Sequence, residues 1–184
     1  MKWIVLCVCG FFFFNFRYQQ DVLDRIWRPF NSDIWNVANA TETLTIDANT
    51  YEPPQLVMRT AVTPKEGNNS FGFAWNADND DGDEETPEFY LYLHFAELQE
   101  LNDGQTREFN IYLNNDFWYG PLAPDYLRVT TIYSMTGIKG SSLRVMFNRT
   151  ENSTLPPLLN AFEIYSVKHL LSLETDQNDG TSTF

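Results

Sequence analysis

The sequence predicts an all-β protein, a β-sandwich or jelly roll, on three observations. Residues 89–98 form a long apolar and aromatic run without Gly or Pro, which indicates a strand. Further segments alternate apolar and polar residues with a period of two and are separated by turn signals such as Pro53-Pro54 and Asn114-Asn115. No stretch of ten residues carries a convincing helical period. Seven or eight strands of this kind are typical of a sandwich.

The run at 89–98 is predicted to be the central strand. Successive side chains of a strand point to opposite faces, so one face of this run is purely apolar and the other is aromatic with polar tips. That pattern is typical of a sandwich strand with one face in the core. The apolar face comprises Leu91, Leu93 and Phe95, and the opposite face comprises Tyr90, Tyr92 and His94. The other predicted strands lie in 56–62, 71–75, 107–113, 127–133, 143–147 and 159–167.

The charge of the chain excludes one class of partner. With 12 Lys and Arg against 25 Asp and Glu, the formal net charge is −13, and the basic residues are scattered. Nucleic acid and anionic membranes are therefore not expected as partners.

The acidic run 78–88 is predicted to be a solvated loop, with a weak, irregular calcium site as the alternative. An EF-hand is excluded because predicted strands, not helices, flank this run.

Residues 1–15 are predicted to be a signal peptide or hydrophobic leader. Lys2 precedes twelve uncharged residues, which resembles the start of a secretory signal. As a helix, twelve residues would span about 18 Å, short of a hydrocarbon core of about 30 Å. No small-x-small cleavage site follows, so an uncleaved anchor or a misjoined gene start stays open. Both cysteines, Cys7 and Cys9, lie in this leader and are too close for an ordinary disulfide.

Glycosylation sequons support the secretory pathway and a place outside the cell or on the outer face of the plasma membrane. Four Asn-x-Ser/Thr sequons occur, each without Pro at its middle position and each in or near a predicted turn. We expect the domain to span 16–175 and the polar tail 176–184 to be disordered. The predicted acceptors are Asn39, Asn68, Asn148 and Asn152.

Five blocks of residues, in order, resemble the plant malectin-like domain. This domain begins the ectodomain of many leucine-rich-repeat receptor-like kinases, and the chain resembles the second of its two tandem halves. The resemblance implies a malectin-like, galactose-binding-like sandwich. The repeats, membrane helix and kinase that follow in such receptors are not in this sequence, so we expect a truncated relative. The blocks are Asp24-Arg25-Ile26-Trp27, Pro53 to Ala61, Tyr90 to Leu98, Thr106-Arg107-Glu108-Phe109 and Ser153 to Tyr165.

Enzymatic activity is not expected. His94 and Glu97 would point to opposite faces of one strand, so they cannot share a site through it. His94 is instead expected to be a hydrogen-bonded residue of the sandwich. No Gly-x-Ser-x-Gly elbow is present, and the chain beyond the leader has no cysteine nucleophile. No cofactor and no metal are assigned.

The predicted function is carbohydrate binding. The resemblance implies saccharides of the cell wall or of N-glycans as ligands, and aromatic faces next to amides and carboxylates suit sugar rings. The alternative is a protein-interaction module that pairs with receptor ectodomains or secreted peptides. A structural alternative is that Phe117 and Trp118 only plug one end of the sandwich. The candidate ligand residues are Asn115, Asp116, Phe117, Trp118 and Tyr119, at a predicted loop.

Overall fold

The computed structural model describes residues 2–7, 16–17, 21, 23–30, 32–47, 52–65, 68–77 and 86–167. Strands dominate, as predicted, and the one helix of these ranges is a single turn. The strands are β1 (Lys2–Cys7), β2 (Phe16–Arg17), β3 (Ile26–Pro29), β4 (Trp35–Asn39), β5 (Thr60–Pro64), β6 (Ser70–Asn76), β7 (Glu88–Phe95), β8 (Phe109–Leu113), β9 (Asp116–Leu122), β10 (Thr130–Tyr133), β11 (Ile138–Lys139), β12 (Ser142–Arg149) and β13 (Ala161–Val167), and the helix is α1 (Gln55–Met58).

The strands form two facing sheets and a small ribbon. The larger sheet has the order β10-β7-β13-β1-β3-β2, with β11 also paired to β7. The second sheet has the order β6-β12-β8-β9, and β4 pairs with β5 in a two-stranded ribbon. Rings from the two large sheets meet between them: Phe73 of β6 stacks on Phe162 of β13, with ring centroids 4.0 Å apart. The predicted β-sandwich is therefore confirmed.

The central strand of the sequence prediction is β7. Leu91, Leu93 and Phe95 are fully buried, which confirms the apolar face, because β10 and β13 flank β7 and the second sheet covers it. Regular pairing ends at Phe95, and the chain continues through Ala96 to Leu98 as irregular but buried backbone. These side chains share one face because successive side chains of a strand alternate. The burial of each contributes roughly 1.5–3 kcal/mol of transfer free energy to folding.

Four predicted strands begin later than expected: β8 and β13 begin two residues late, β10 three and β5 four. The segment 56–62 starts with the helical turn α1, which follows Pro54 in an extended conformation, and only Thr60 begins a strand. Proline is suited to the start of a helix because its fixed φ is compatible with the first turn. In the segment 127–133, Leu127 has a φ of 52°, which is incompatible with a strand, and pairing starts at Thr130.

The predicted leader contributes a strand. The backbone of Lys2–Cys7 pairs antiparallel with β13 and parallel with β3, so β1 joins these two strands in the larger sheet. Residues 8–15 lie outside the described residues, and so does the tail 176–184. Cleavage of the leader and disorder of the tail stay predictions. A cleaved leader would remove β1 from the middle of the sheet.

Candidate functional site

The candidate ligand residues lie on the β8–β9 hairpin. Asn114 and Asn115 have φ values of 51° and 74°, the left-handed values that a two-residue hairpin turn of type I′ requires. Asn114 pins this turn to β12: its Oδ1 accepts a hydrogen bond from the backbone N–H of Arg144 at 2.9 Å. The turn therefore has a fixed place beside the second sheet, and the side chains of Asn115 and Asp116 are exposed at its tip.

The residues after the turn form an edge strand, so the predicted loop is wrong beyond Asn115. Tyr112 pairs with Phe117 and Ile111 with Tyr119, which leaves Trp118 as an extra residue in a β-bulge. The bulge breaks the period of two. For that reason the alternation in the sequence did not indicate a strand here.

The bulge separates the three aromatic side chains. Phe117 is 59% exposed and Tyr119 42% exposed. Trp118 is half-buried and packs against the hydrophobic core. The contacts favour the structural role of a plug for Trp118, and they leave Phe117 and Tyr119 available to a ligand.

Three side chains form a platform on the outer face of the second sheet. Phe117 packs edge-to-face on Tyr112, with centroids 6.0 Å apart at 83°. Tyr112 pairs in turn with Met146 of β12. Met146 lies across Gly72, because a Cβ built at Gly72 would come within 2.6 Å of the Met146 Sδ. We call Tyr112, Phe117 and Met146 the hairpin platform. Sequence reasoning missed Tyr112 and Met146, since their contribution depends on strand pairing.

His94 belongs to a buried polar network. Its side chain is fully buried; Nδ1 lies 2.9 Å from Thr131 Oγ1, and Nε2 lies 2.8 Å from Glu163 Oε1. Arg25 donates to the same Glu163 oxygen at 2.8 Å. The hydroxyl of Tyr165 donates to the other oxygen, and burial raises the pKa of Tyr165. The expectation of a hydrogen-bonded sandwich residue is confirmed.

The same network fixes the entry segment of the chain. Asp21 accepts from Arg25 Nε at 3.0 Å and from the indole N–H of Trp27 at 2.7 Å. Arg25 lies over the Trp27 ring, 4.9 Å from its centroid. Since Arg25 also bonds Glu163, Asp21, Arg25 and Trp27 are tied to β13. Each charge is paired, as buried charges must be.

Two further sets of buried hydrogen bonds, which we call latches, join other blocks that carry the family resemblance. Arg107 Nε donates to Glu97 Oε2 at 2.6 Å, and a guanidinium N–H of Arg107 also donates to the carbonyl of Pro156. Asn160 Oδ1 accepts from the backbone N–H of Ala96 at 2.8 Å. These contacts satisfy buried polar groups between distant segments. The residues of the blocks therefore hold the fold together.

Among the described residues, no group of three His, Cys, Asp or Glu side chains is placed to hold a metal ion. Most of the acidic run, residues 78–85, lies outside the described ranges, so the solvated loop and the weak calcium site stay predictions. No helix in the part of the chain that the structure describes is long and apolar enough to cross a membrane.

The predicted glycosylation acceptors differ in exposure. Asn39, Asn68 and Asn152 are exposed, whereas Asn148 is half-buried within β12. Asn148 pairs with Ser70, two residues beyond Asn68, so these two acceptors lie at the same end of the second sheet. Their modification stays a prediction.

Comparison with known proteins agrees with this all-β sandwich architecture. The profile of the malectin-like domain matches residues 8–167, and the chain belongs to this family. Among its relatives in Arabidopsis thaliana, the LRR receptor-like serine/threonine-protein kinase IOS1 is 40% identical over 168 residues, and the match covers 90% of this chain and 18% of that protein. The probable LRR receptor-like serine/threonine-protein kinase At1g51860 is 40% identical over 169 residues.

Solved structures show the same fold. The ANX2 ectodomain of Arabidopsis thaliana superposes with a TM-score of 0.58 at 18% identity, over 82% of this chain and 46% of that one. The ANXUR1 extracellular domain gives a TM-score of 0.57 at 18% identity, over 82% of this chain and 44% of that one. The chain thus spans less than half of these ectodomains and about a fifth of the receptor kinases.

Proposed function

We propose that this chain is an extracellular, non-catalytic carbohydrate-binding module. The observation that carries the proposal is the hairpin platform, in which the exposed Phe117 ring lies beside the half-buried Tyr112 and Met146 on a malectin-like fold. Phe117 is 59% exposed although it is apolar, and Tyr112 supports it edge-to-face. A sugar ring can cover such a face with its C–H side and remove apolar surface from water.

Polar groups for the sugar hydroxyls are next to the platform. The exposed amide of Asn115 can donate and accept, and the carboxylate of Asp116 can accept hydrogen bonds. Both follow the pinned turn at Asn114, so their backbone is held in place before a ligand arrives. A few fixed polar groups around an aromatic face are typical of small-ligand sites.

The family supports the location and the ligand class. The relatives named above are receptor-like kinases, and the matched ANX2 and ANXUR1 structures are ectodomains. A place in the secretory pathway, and then outside the cell or on the outer face of the plasma membrane, is consistent with the four sequons. Saccharides of the cell wall or of N-glycans are the proposed ligands.

A glycan array probed with the whole purified chain tests the proposal. Binding to a discrete set of saccharides supports it. If no saccharide binds, while the chain captures receptor ectodomains or secreted peptides, the protein-interaction alternative replaces it.

A pair of adjacent variants then locates the site. Phe117→Ala should weaken saccharide binding by roughly 1–3 kcal/mol, the range for one lost apolar side chain, while the melting temperature stays nearly constant. Trp118→Ala should lower the melting temperature by several degrees, because Trp118 packs against the core. Equal binding by wild type and Phe117→Ala would refute the hairpin platform as the site.

A further inference from the structure

β1 fills a position between two strands of the larger sheet that do not pair with each other. All six of its residues pair antiparallel with β13, from Lys2 opposite Ser166 to Cys7 opposite Ala161. Its second half pairs in parallel with β3, and this pairing starts at Val5. Neighbouring strands of a sheet lie about 4.8 Å apart, so β13 and β3 are roughly 10 Å apart and cannot bond to each other directly. We call the position between them the strand slot.

Removal of β1 would open the strand slot in the middle of the sheet. β13 keeps β7 on its other side, so only the backbone N–H and C=O groups that face β1 would lose their partners. Residues 161–164 of β13 are at most 2% exposed, and unpaired backbone groups are costly in such surroundings. An open strand edge of this kind is a template for another extended segment.

The residues around the strand slot determine what it accepts. The middle of β1 lies opposite Ile164, Glu163 and Phe162, and none of these three is more than 2% exposed. Glu163 already accepts from the buried Arg25, so a second charge placed beside it would be buried without a partner of its own. The first residue of β1 lies opposite the half-buried Ser166, where a polar residue can reach water. The strand slot therefore fits a segment with an apolar middle and a polar start.

The family match includes the strand slot but not the strand that fills it. The malectin-like profile covers residues 8–167, so β13 and β3 belong to the matched stretch and β1 precedes it. The two walls of the slot are thus part of the family domain. Its occupant in this chain comes from the predicted leader.

We propose that the strand slot is a peptide-acceptor site. β1 fills it in the intact chain, and after removal of the leader it binds an extended apolar segment of another polypeptide, antiparallel to β13. Main-chain hydrogen bonds give the affinity, and the buried neighbours of the slot select apolar residues. The proposal does not depend on carbohydrate binding, because the hairpin platform lies on the second sheet.

The test uses the whole chain with one cut behind β1. A recognition sequence for a site-specific protease is inserted between Gly10 and Phe11, and a fluorescent peptide of residues 2–7 is added to the uncut and to the cut chain. In the uncut chain β1 competes from within the same molecule, at an effective concentration in the millimolar range, so cleavage should tighten peptide binding at least about tenfold. Fluorescence anisotropy measures the two dissociation constants. Equal binding to the cut and uncut chains would overturn the proposal.

Two peptide variants distinguish the strand slot from non-specific adhesion. Val5→Pro removes a hydrogen bond from the middle of a strand that is paired on both sides, and it should weaken binding at least about tenfold. Lys2→Gln changes only the end opposite Ser166 and should bind within about threefold of the parent peptide. Equal losses for the two variants would show that the peptide adheres elsewhere.

A disulfide test fixes the register of the bound peptide. Paired residues of antiparallel strands have Cα atoms about 4.5–5.5 Å apart, a distance that a disulfide can bridge. The cut chain carries Cys7→Ser, Cys9→Ser and Ser166→Cys. It should cross-link to a peptide with Lys2→Cys and Cys7→Ser, because residue 2 lies opposite residue 166. Cross-linking only to the peptide that keeps Cys7 would overturn the antiparallel placement.

Two controls separate this site from other surfaces and other occupants. Phe117→Ala should leave peptide binding unchanged, because Phe117 lies on β9 of the second sheet, so failure of the hairpin platform and failure of the strand slot are read out independently. If a second copy of the chain fills the slot instead, the cut chain elutes as a dimer on gel filtration and excludes the peptide. That outcome would overturn the proposed occupant.

Discussion

Phe95→Ala measures how far the stability of the sandwich depends on its central strand. Phe95 is fully buried on β7 and contacts Phe109 and Phe147, with ring centroids 5.6 Å and 5.9 Å away. Because these neighbours lie on two strands of the opposite sheet, they cannot both move in to fill the space of the lost ring. The change should therefore cost about 3–5 kcal/mol, the usual range for a buried Phe. That is a large part of the roughly 5–15 kcal/mol that stabilises a domain.

Urea unfolding followed by tryptophan fluorescence gives the value. With a slope of about 2 kcal/mol per molar urea, the midpoint should fall by about 1.5–2.5 M while the slope stays the same. Phe117→Ala is the matched control, since Phe117 is 59% exposed and its loss should change the unfolding free energy by no more than about 0.5 kcal/mol. A loss below about 1 kcal/mol for Phe95→Ala would refute the assignment of its face to the core.

Four further predictions concern other parts of the chain. Arg107→Ala should cost about 3–5 kcal/mol in urea unfolding, because it leaves the buried Glu97 without its cation; the exposed Arg128→Ala should cost at most about 1 kcal/mol, and similar losses would contradict the latch. Burial raises the pKa of Tyr165 above its ordinary value of 10.0, so the unfolded chain loses this proton first and stability falls as the pH rises past 10. Tyr165→Phe should make the fall of stability with pH less steep. Identical stability–pH profiles for the wild type and this variant would contradict the raised pKa of Tyr165. The apparent mass of protein expressed in a eukaryotic host should fall on treatment with a glycan-removing amidase. Unchanged mobility together with a cytosolic location would contradict both the predicted glycosylation and the predicted leader. Deletion of residues 1–15 should lower the melting temperature, since it removes β1 from between β13 and β3; an unchanged melting temperature would show that the sheet does not need this strand.

Alternation along the chain predicted the elements that obey it. β7 has one strictly apolar face, and its buried residues follow from the period of two. Among the elements that the sequence did not predict, three have a clear physical reason. β9 carries a bulge at Trp118, which breaks the period. α1 has four residues, too few to show a helical repeat. After Lys2, β1 is an uninterrupted apolar run, and such a run suits a buried strand as well as the core of a secretory signal.

The candidate site was partly predictable because its contacts are local. The turn at Asn114-Asn115 and the aromatic Phe117 are adjacent in the chain, so composition indicated the segment, although it predicted a loop where β9 forms. Its supporting residue Met146 comes from another strand and becomes a neighbour only through pairing. The buried network is further from prediction, because Arg25 and Glu163 are 138 residues apart in the chain.

The residues that carry the family resemblance differ from the residues proposed to contact a ligand. Glu97, Arg107 and Asn160 lie in the blocks that carry the resemblance, and each is buried and bonded to another segment of the fold. Their loss would leave buried polar groups without partners, which ties them to this architecture whatever the domain binds. The exposed hairpin platform uses residues outside those latches. A relative can therefore keep the fold and change its ligand, and the specificity of this chain has to be measured at its exposed surface.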